Sequence, residues 1–293
     1  MRITVTRASH TVFTAVLLAS QVAGYGQTPI RDEVLKLYVP LTAEQVHDSV
    51  FKFHGTPIQI HEDGEVARLP MTIVFVIDRA KHQAPMLPLV RKYVRQVTSR
   101  LSDADVRWAL VLTGATSQAQ TYSAADFLTR IDRDIASEKM PNRGAKSSLA
   151  DSVRSAIQLA RTATVGAIVV VSDGDDDIGG KSAHEISLLL AKTDVRLFSL
   201  LLAFHDFYGT KAHSQWGWEL GKIAEQTAGG QYETNYQARD RDERVLNDLA
   251  ARIRFGTIVS VPSILVQSAV RSPVALEIRT PGGAKQRTAQ FIP

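Results

Sequence analysis

The segment Met71–Ala80, MTIVFVIDRA, limits the fold more than any other stretch of the 293-residue chain. Six of its first seven residues are apolar, four of them β-branched aliphatics, and the run stops at Asp78. A short unbroken apolar run of this kind reads as a strand buried on both faces, as in a parallel sheet covered by helices. A carboxylate directly after such a strand sits where open α/β sheets place their ligands. Gly166–Asp177, GAIVVVSDGDDD, repeats the arrangement of buried strand followed by acids. The chain is therefore expected to bring two acid-tipped strand ends together.

Between and beyond these strands the pattern alternates. Leu87, Val90, Val94, Val97 and Leu101 recur at three- and four-residue steps, which predicts an amphipathic helix with Pro85 and Pro88 at its start. A strand is expected over Val106–Thr113 and a helix over Ser123–Ala136 with Ser123 as N-cap. A helix over Ser148–Thr162, the strand Gly166–Ser172, a helix over Ser182–Lys192 and the strand Val195–Ala203 follow. A helix from about Trp216 to Thr227, closed by Gly229-Gly230, and a strand over Gln231–Thr234 complete the set. Strands and helices of these lengths in alternation predict an α/β fold, a doubly wound, mostly parallel, Rossmann-like sheet over residues 71–237.

Both ends look different. Residues 27–70 read as a small β extension, with short strands over Val34–Pro40 and Ser49–His54 and a hairpin-type turn at Glu62-Asp63-Gly64. Residues 238–293 read as a charged helix, striped by Val245, Leu246, Leu249 and Ile253, followed by strands over Ile258–Val261, Val274–Arg279 and Ala289–Ile292. Nothing in the sequence pairs the two β pieces.

Residues 1–26 are expected to be a signal peptide: Arg2, Arg7 and His10 precede the apolar Val12–Ala19, and small residues surround Gly24-Tyr25-Gly26. The apolar run is shorter than the ~20 residues a membrane-spanning helix needs. Cleavage is expected near Gly26, giving a protein of the periplasm or the exterior with no integral membrane segment. Losing Arg2 and Arg7 lowers the formal charge from +4 to +2, too little to argue for nucleic acid as a partner. The chain has no cysteine, so an exported form has no disulfides and relies on its core, which suits a bacterial envelope protein.

The strand MTIVFVID, the segment SSLADSVRSAIQLA, the strand-plus-acid VVVSDGDDD and the closing AEQTAGGQYET together resemble a von Willebrand factor type A (VWA) domain. An exported domain of this type with β segments on either side is similar to the bacterial VWFA-related proteins known from acidobacteria. The resemblance implies a metal-ion-dependent adhesion site: a D-x-S-x-S loop, a Thr from a second loop and an Asp after a later strand hold Mg²⁺, and an acidic group of a protein partner completes the shell. Hard oxygen ligands in octahedral array suit that ion. Here Asp78 matches the first position, Ser147 stands at the Thr position with its hydroxyl kept, and Asp173 matches the last. Ala80 and His82 replace the two serines; alanine offers no oxygen, and imidazole suits zinc or copper better. The implied site is degenerate, with Mg²⁺ or another divalent cation as its only candidate cofactor.

Other signals are weaker. Asp173–Asp177 begins like an EF-hand loop, yet its sixth position is Ile178 and its twelfth His184, where Gly and Glu are needed. His184-Glu185 lacks the second histidine of a zinc-protease helix. His82, His205 and His213 are candidates to converge above the strand ends, and Trp216 and Trp218 are candidate partner anchors or core. No P-loop, G-x-S-x-G or G-x-G-x-x-G pattern occurs. The expectation is a non-enzymatic, adhesion-type protein-binding module. The alternatives are a metal-dependent hydrolase built on Asp173–Asp177 and a structural component of envelope assembly.

Overall fold

The computed structural model describes residues 17–18, 35–39, 41–53, 56–78, 86–102, 105–113, 120–136, 149–163, 165–172, 180–191, 193, 195–203, 213–227, 229–235, 239–261, 275–279 and 285–289. The chain enters through short strands: β1 (Leu17–Leu18), β2 (Leu35–Val39), β3 (Val50–Phe53), β4 (Thr56–Pro57) and β5 (His61–Glu65). Helix α1 (Ala43–His47) lies between β2 and β3 and has no counterpart in the sequence reading. Its start is a capping box: the Gln45 amide donates to the Thr42 hydroxyl at 3.2 Å, and the Thr42 amide donates to the Gln45 side chain at 3.1 Å. The expected hairpin turn at Glu62-Asp63-Gly64 is instead the middle of β5. Gly64 takes φ +141°, and Asp63 is the extra residue of a bulge. The turn chemistry is present, but it kinks a strand rather than reversing it.

The buried runs then build a five-stranded sheet from β6 (Met71–Ile77), β7 (Val106–Leu112), β8 (Val165–Ser172), β9 (Val195–Ala203) and β10 (Gly230–Asn235). The spatial order is β7-β6-β8-β9-β10 and every pairing is parallel. A doubly wound α/β sheet was expected and is present. Side chains alternate between its faces, which splits the core in two. Ile73, Phe75 and Ile77 point to the layer of α2 (Leu87–Arg100), α3 (Ala124–Ala136) and α7 (Arg239–Arg254). Val74 and Val76 point to the layer of α4 (Leu149–Ala160), α5 (Gly180–Ala191) and α6 (His213–Gln226). Helix α6 starts three residues before the expected Trp216. The Gly229 amide closes it with a 2.9 Å bond to Ala224 O, and Gly230 already opens β10. Ser123 caps α3 as expected, accepting from the Asp126 amide at 3.3 Å.

The remaining strands are β11 (Thr257–Val261), β12 (Ala275–Arg279) and β13 (Lys285–Ala289), the last of which lies before the expected Ala289–Ile292. They pair with the amino-terminal strands. One antiparallel sheet runs β1-β2-β11-β5, the other β13-β12-β3-β4. Val39 and Val259 of the first meet Phe51 and Ile278 of the second in a small core. The opposite face of the first sheet carries Tyr38 and Ile258 into the core of the α/β body. The α/β body is thus inserted between β5 and β11, and the first flanking sheet has an apolar layer on each side. Helix α7 is the last element of the body: Leu246, Leu249, Ala250 and Ile253 are buried in its core.

Candidate functional site

Strand register assembles the site. Ile77 pairs with Leu112 on one side and with Val171 on the other, so the next residues, Asp78, Thr113 and Ser172, stand level at the carboxyl ends of three adjacent strands. Alternation puts all three on the α4–α5 face, the side of Val76, Val111 and Val170. Strand order reverses direction between β6 and β8, which is the switch point where open α/β sheets bind ligands.

The three side chains are bonded to one another. The Thr113 hydroxyl donates to Asp78 Oδ1 at 3.3 Å and the Ser172 hydroxyl donates to Asp78 Oδ2 at 3.1 Å. The backbone seals the strand ends: the Asp78 amide donates to Val171 O and the Thr113 amide to Ile77 O, each at 3.0 Å. Asp78 is 2% exposed, Thr113 1% and Ser172 3%. Asp78 therefore ties the three strand ends together.

Of the expected site residues, Asp78 is at the predicted place. Ser147, Asp173, Ala80 and His82 lie outside the described residues, as does the acidic run 173–177. Thr113 and Ser172 were not singled out in the sequence; each is the terminal residue of a predicted strand, and only cross-strand register makes it a neighbour of Asp78. His184 is exposed on α5, and Glu185 beside it accepts from Arg154 at 2.6 Å. Arg154 also pairs with Asp151, so Glu185 belongs to an ionic link between α4 and α5. His213 begins α6, which also carries Trp216 and Trp218. Among the described residues no group of three or more acidic or histidine side chains is arranged to hold a metal ion. No described helix is long and apolar enough to cross a membrane.

A second buried constellation lies between α2, α7 and β10. Tyr93, 1% exposed, donates its hydroxyl to Asp242, which is 5% exposed. Burial, reinforced by the Asp242 carboxylate, pushes the Tyr93 phenol well above its ordinary range. This pair joins two helices of one layer.

No protein-family model matches the chain, and no curated protein matches it in sequence. Solved structures with a partly similar backbone include the PilB minor pilin from Streptococcus sanguinis, at 12% identity, covering 64% of this chain and 62% of that one with a TM-score of 0.47. The pilus adhesin SpaC from Lactobacillus rhamnosus GG aligns at 8% identity, covering 87% of this chain and 49% of that one, with a TM-score of 0.49. The SpRpn10 VWA domain aligns at 13% identity, covering 61% of this chain and 95% of that one, with a TM-score of 0.45.

Proposed function

We propose that the chain is an exported, non-enzymatic protein-binding module of the VWA type, related to the bacterial VWFA-related proteins, that binds at the carboxyl ends of the central strands, where Asp78, Thr113 and Ser172 stand. The observation that carries this reading is the alignment of three oxygen-bearing side chains at the switch point of a doubly wound sheet. Asp78 is the one carboxylate among these three residues, and both of its oxygens already accept hydroxyl protons. Ala80 adds no oxygen and His82 is a poor partner for a hard cation. Two of the five expected ligand positions thus lack their hydroxyls, and on that ground the module is proposed to bind its partner without metal. Signal cleavage near Gly26 and a location in the periplasm or outside the cell belong to the same proposal.

The first test is calorimetric titration of Mg²⁺, Mn²⁺ and Ca²⁺ into EDTA-stripped protein, with Asp173→Ala as control. No micromolar binding is expected. Micromolar binding lost in Asp173→Ala would restore a metal-dependent site and turn the search to acidic partners. The second test compares capture of envelope proteins by immobilised wild-type chain and by a Ser147→Ala, Asp173→Ala variant, each with and without EDTA. Capture that resists EDTA and falls in the variant is expected; equal capture by both chains sinks the top-face reading.

A further inference from the structure

Arg196, the second residue of β9, is fully buried, in a strand that is otherwise apolar apart from Ser199. A buried guanidinium is costly unless it is paired and hydrogen-bonded. Its hydrogen-bond acceptors here are one phenol and backbone carbonyls. Nη1 donates to the Tyr38 hydroxyl at 2.9 Å, to Arg252 O at 3.3 Å and to Phe255 O at 3.4 Å, and Nη2 donates to Ile253 O. These carbonyls belong to the last turn and exit of α7, the end of a helix that lacks internal partners and carries partial negative charge. The ring of Tyr38 lies 4.4 Å from the guanidinium carbon and that of Phe198 5.5 Å, so two aromatic rings also face the cation. Burial lowers the Arg196 pKa from its ordinary value, and Arg252 adds to that lowering.

The partners come from three separate parts of the chain. Arg196 belongs to the central sheet, Tyr38 to β2, and the carbonyls to the stretch where α7 hands over to β11. Gly256 makes that handover with φ +118°, and a side chain there would begin 2.2 Å from the Tyr38 hydroxyl. Tyr38 in turn donates to Phe255 O, and Val66 on the incoming connection donates its amide to Gly256 O at 2.9 Å. Both connections between the α/β body and the flanking sheets therefore meet at this cluster. It lies at the amino ends of the central strands, opposite the end that carries Asp78.

We propose that Arg196 is the joint that locks the α/β body to the flanking β sheets, so that the two unfold as one body and the Asp78 end is held pointing away from them. The proposal goes beyond the binding reading, and its test involves no partner. Scanning calorimetry and amide hydrogen exchange on the intact chain decide it. The wild type is expected to show a single transition. Arg196→Met is expected to split it in two and to speed exchange at residues 253–260 by at least about tenfold, while β6 and β8 keep their protection. Ile186→Val, a buried change on α5 far from the joint, is expected to lower the single transition without splitting it. If Arg196→Met does not fold, Tyr38→Phe decides the matter: it keeps the ring and removes the hydroxyl. Faster exchange confined to residues 253–260 and to β2 supports the joint. Uniform or unchanged exchange in Tyr38→Phe, or an unsplit transition with protected residues 253–260 in Arg196→Met, overturns it.

Discussion

Asp78 and Arg196 are buried charges at opposite ends of the same sheet, 2% and 0% exposed, and the protein holds them in different ways. Asp78 is held by the hydroxyls of Thr113 and Ser172, side chains on rotatable bonds at the ends of adjacent strands. Arg196 is held by backbone carbonyls at a helix end, by the faces of two rings and by the Tyr38 hydroxyl, whose own proton is committed to Phe255 O. A hydroxyl can turn its proton to a different acceptor when a partner arrives, whereas a carbonyl of a helix end moves only with the helix. The carboxyl end of the sheet is thus built to adjust and the amino end to stay fixed. That division matches the binding proposed for the carboxyl end.

The comparison breaks first at the fixed end. Arg196→Ala leaves the α7 carbonyls without their donor and empties the space between two rings, and a loss of about 4 kcal/mol in denaturant unfolding is expected. A loss below about 1 kcal/mol would mean that water replaces the guanidinium and that the end is not fixed. Gly256→Ala attacks the same place through the backbone. A Cβ at φ +118° is strained and meets the Tyr38 hydroxyl, so a loss of about 3 kcal/mol is expected, with no change in the behaviour of the switch-point end.

At the adjustable end the expected effects are smaller and coupled. Thr113→Val keeps the shape of the side chain and removes one hydrogen bond to a charged acceptor, at a cost of about 2 kcal/mol. Ser172→Ala should cost a similar amount. Because both hydroxyls serve one carboxylate, the double variant should depart from the sum of the two by about 1 kcal/mol. Strict additivity would show that the two hydroxyls do not share Asp78.

How far the sequence reaches differs between these ends for a physical reason. The strands β6, β8 and β9 announce themselves because a strand buried on both faces must be apolar throughout, and the bounds Val195–Ala203 agree residue for residue. Asp78 was legible as the residue that ends such a run. Thr113 and Ser172 were not, because register across strands is a long-range property that leaves no local periodicity. The joint was harder still. Arg196 reads as an interruption in VRLFSLLLA, and its acceptors lie 158 residues away at Tyr38 and 56–59 residues away at the end of α7. Strand β13, KQRTA, has no apolar alternation to find, and it is recognisable only through its pairing with β12. Asp63-Gly64 shows the reverse error. Turn residues were present, and the chain used them to kink a strand that β11 pairs on both sides of the bulge.

The smallest predicted effect sharpens the account of the fixed end. Tyr232 on β10 lies in the electrostatic reach of Arg196, Arg252 and Tyr38, and burial pushes its phenol up to about 12 despite the opposing pull of both arginines. In the unfolded chain the phenol titrates near 10. The folded state therefore binds this proton more tightly, and its contribution to stability is complete below pH 10 and is lost as pH rises from there through about 12. Denaturant midpoints measured across that window should fall by the equivalent of about 1 kcal/mol by pH 11, and Tyr232→Phe should flatten this part of the fall. Arg196→Met removes one of the two cations that favour the phenolate, so if that variant folds, its Tyr232 should titrate higher than in the wild type. Unaltered tyrosinate absorbance in Arg196→Met would mean that the buried charge at the joint is not felt by its neighbours. The guanidinium would then have to be neutralised more completely than the carbonyls and rings around it allow.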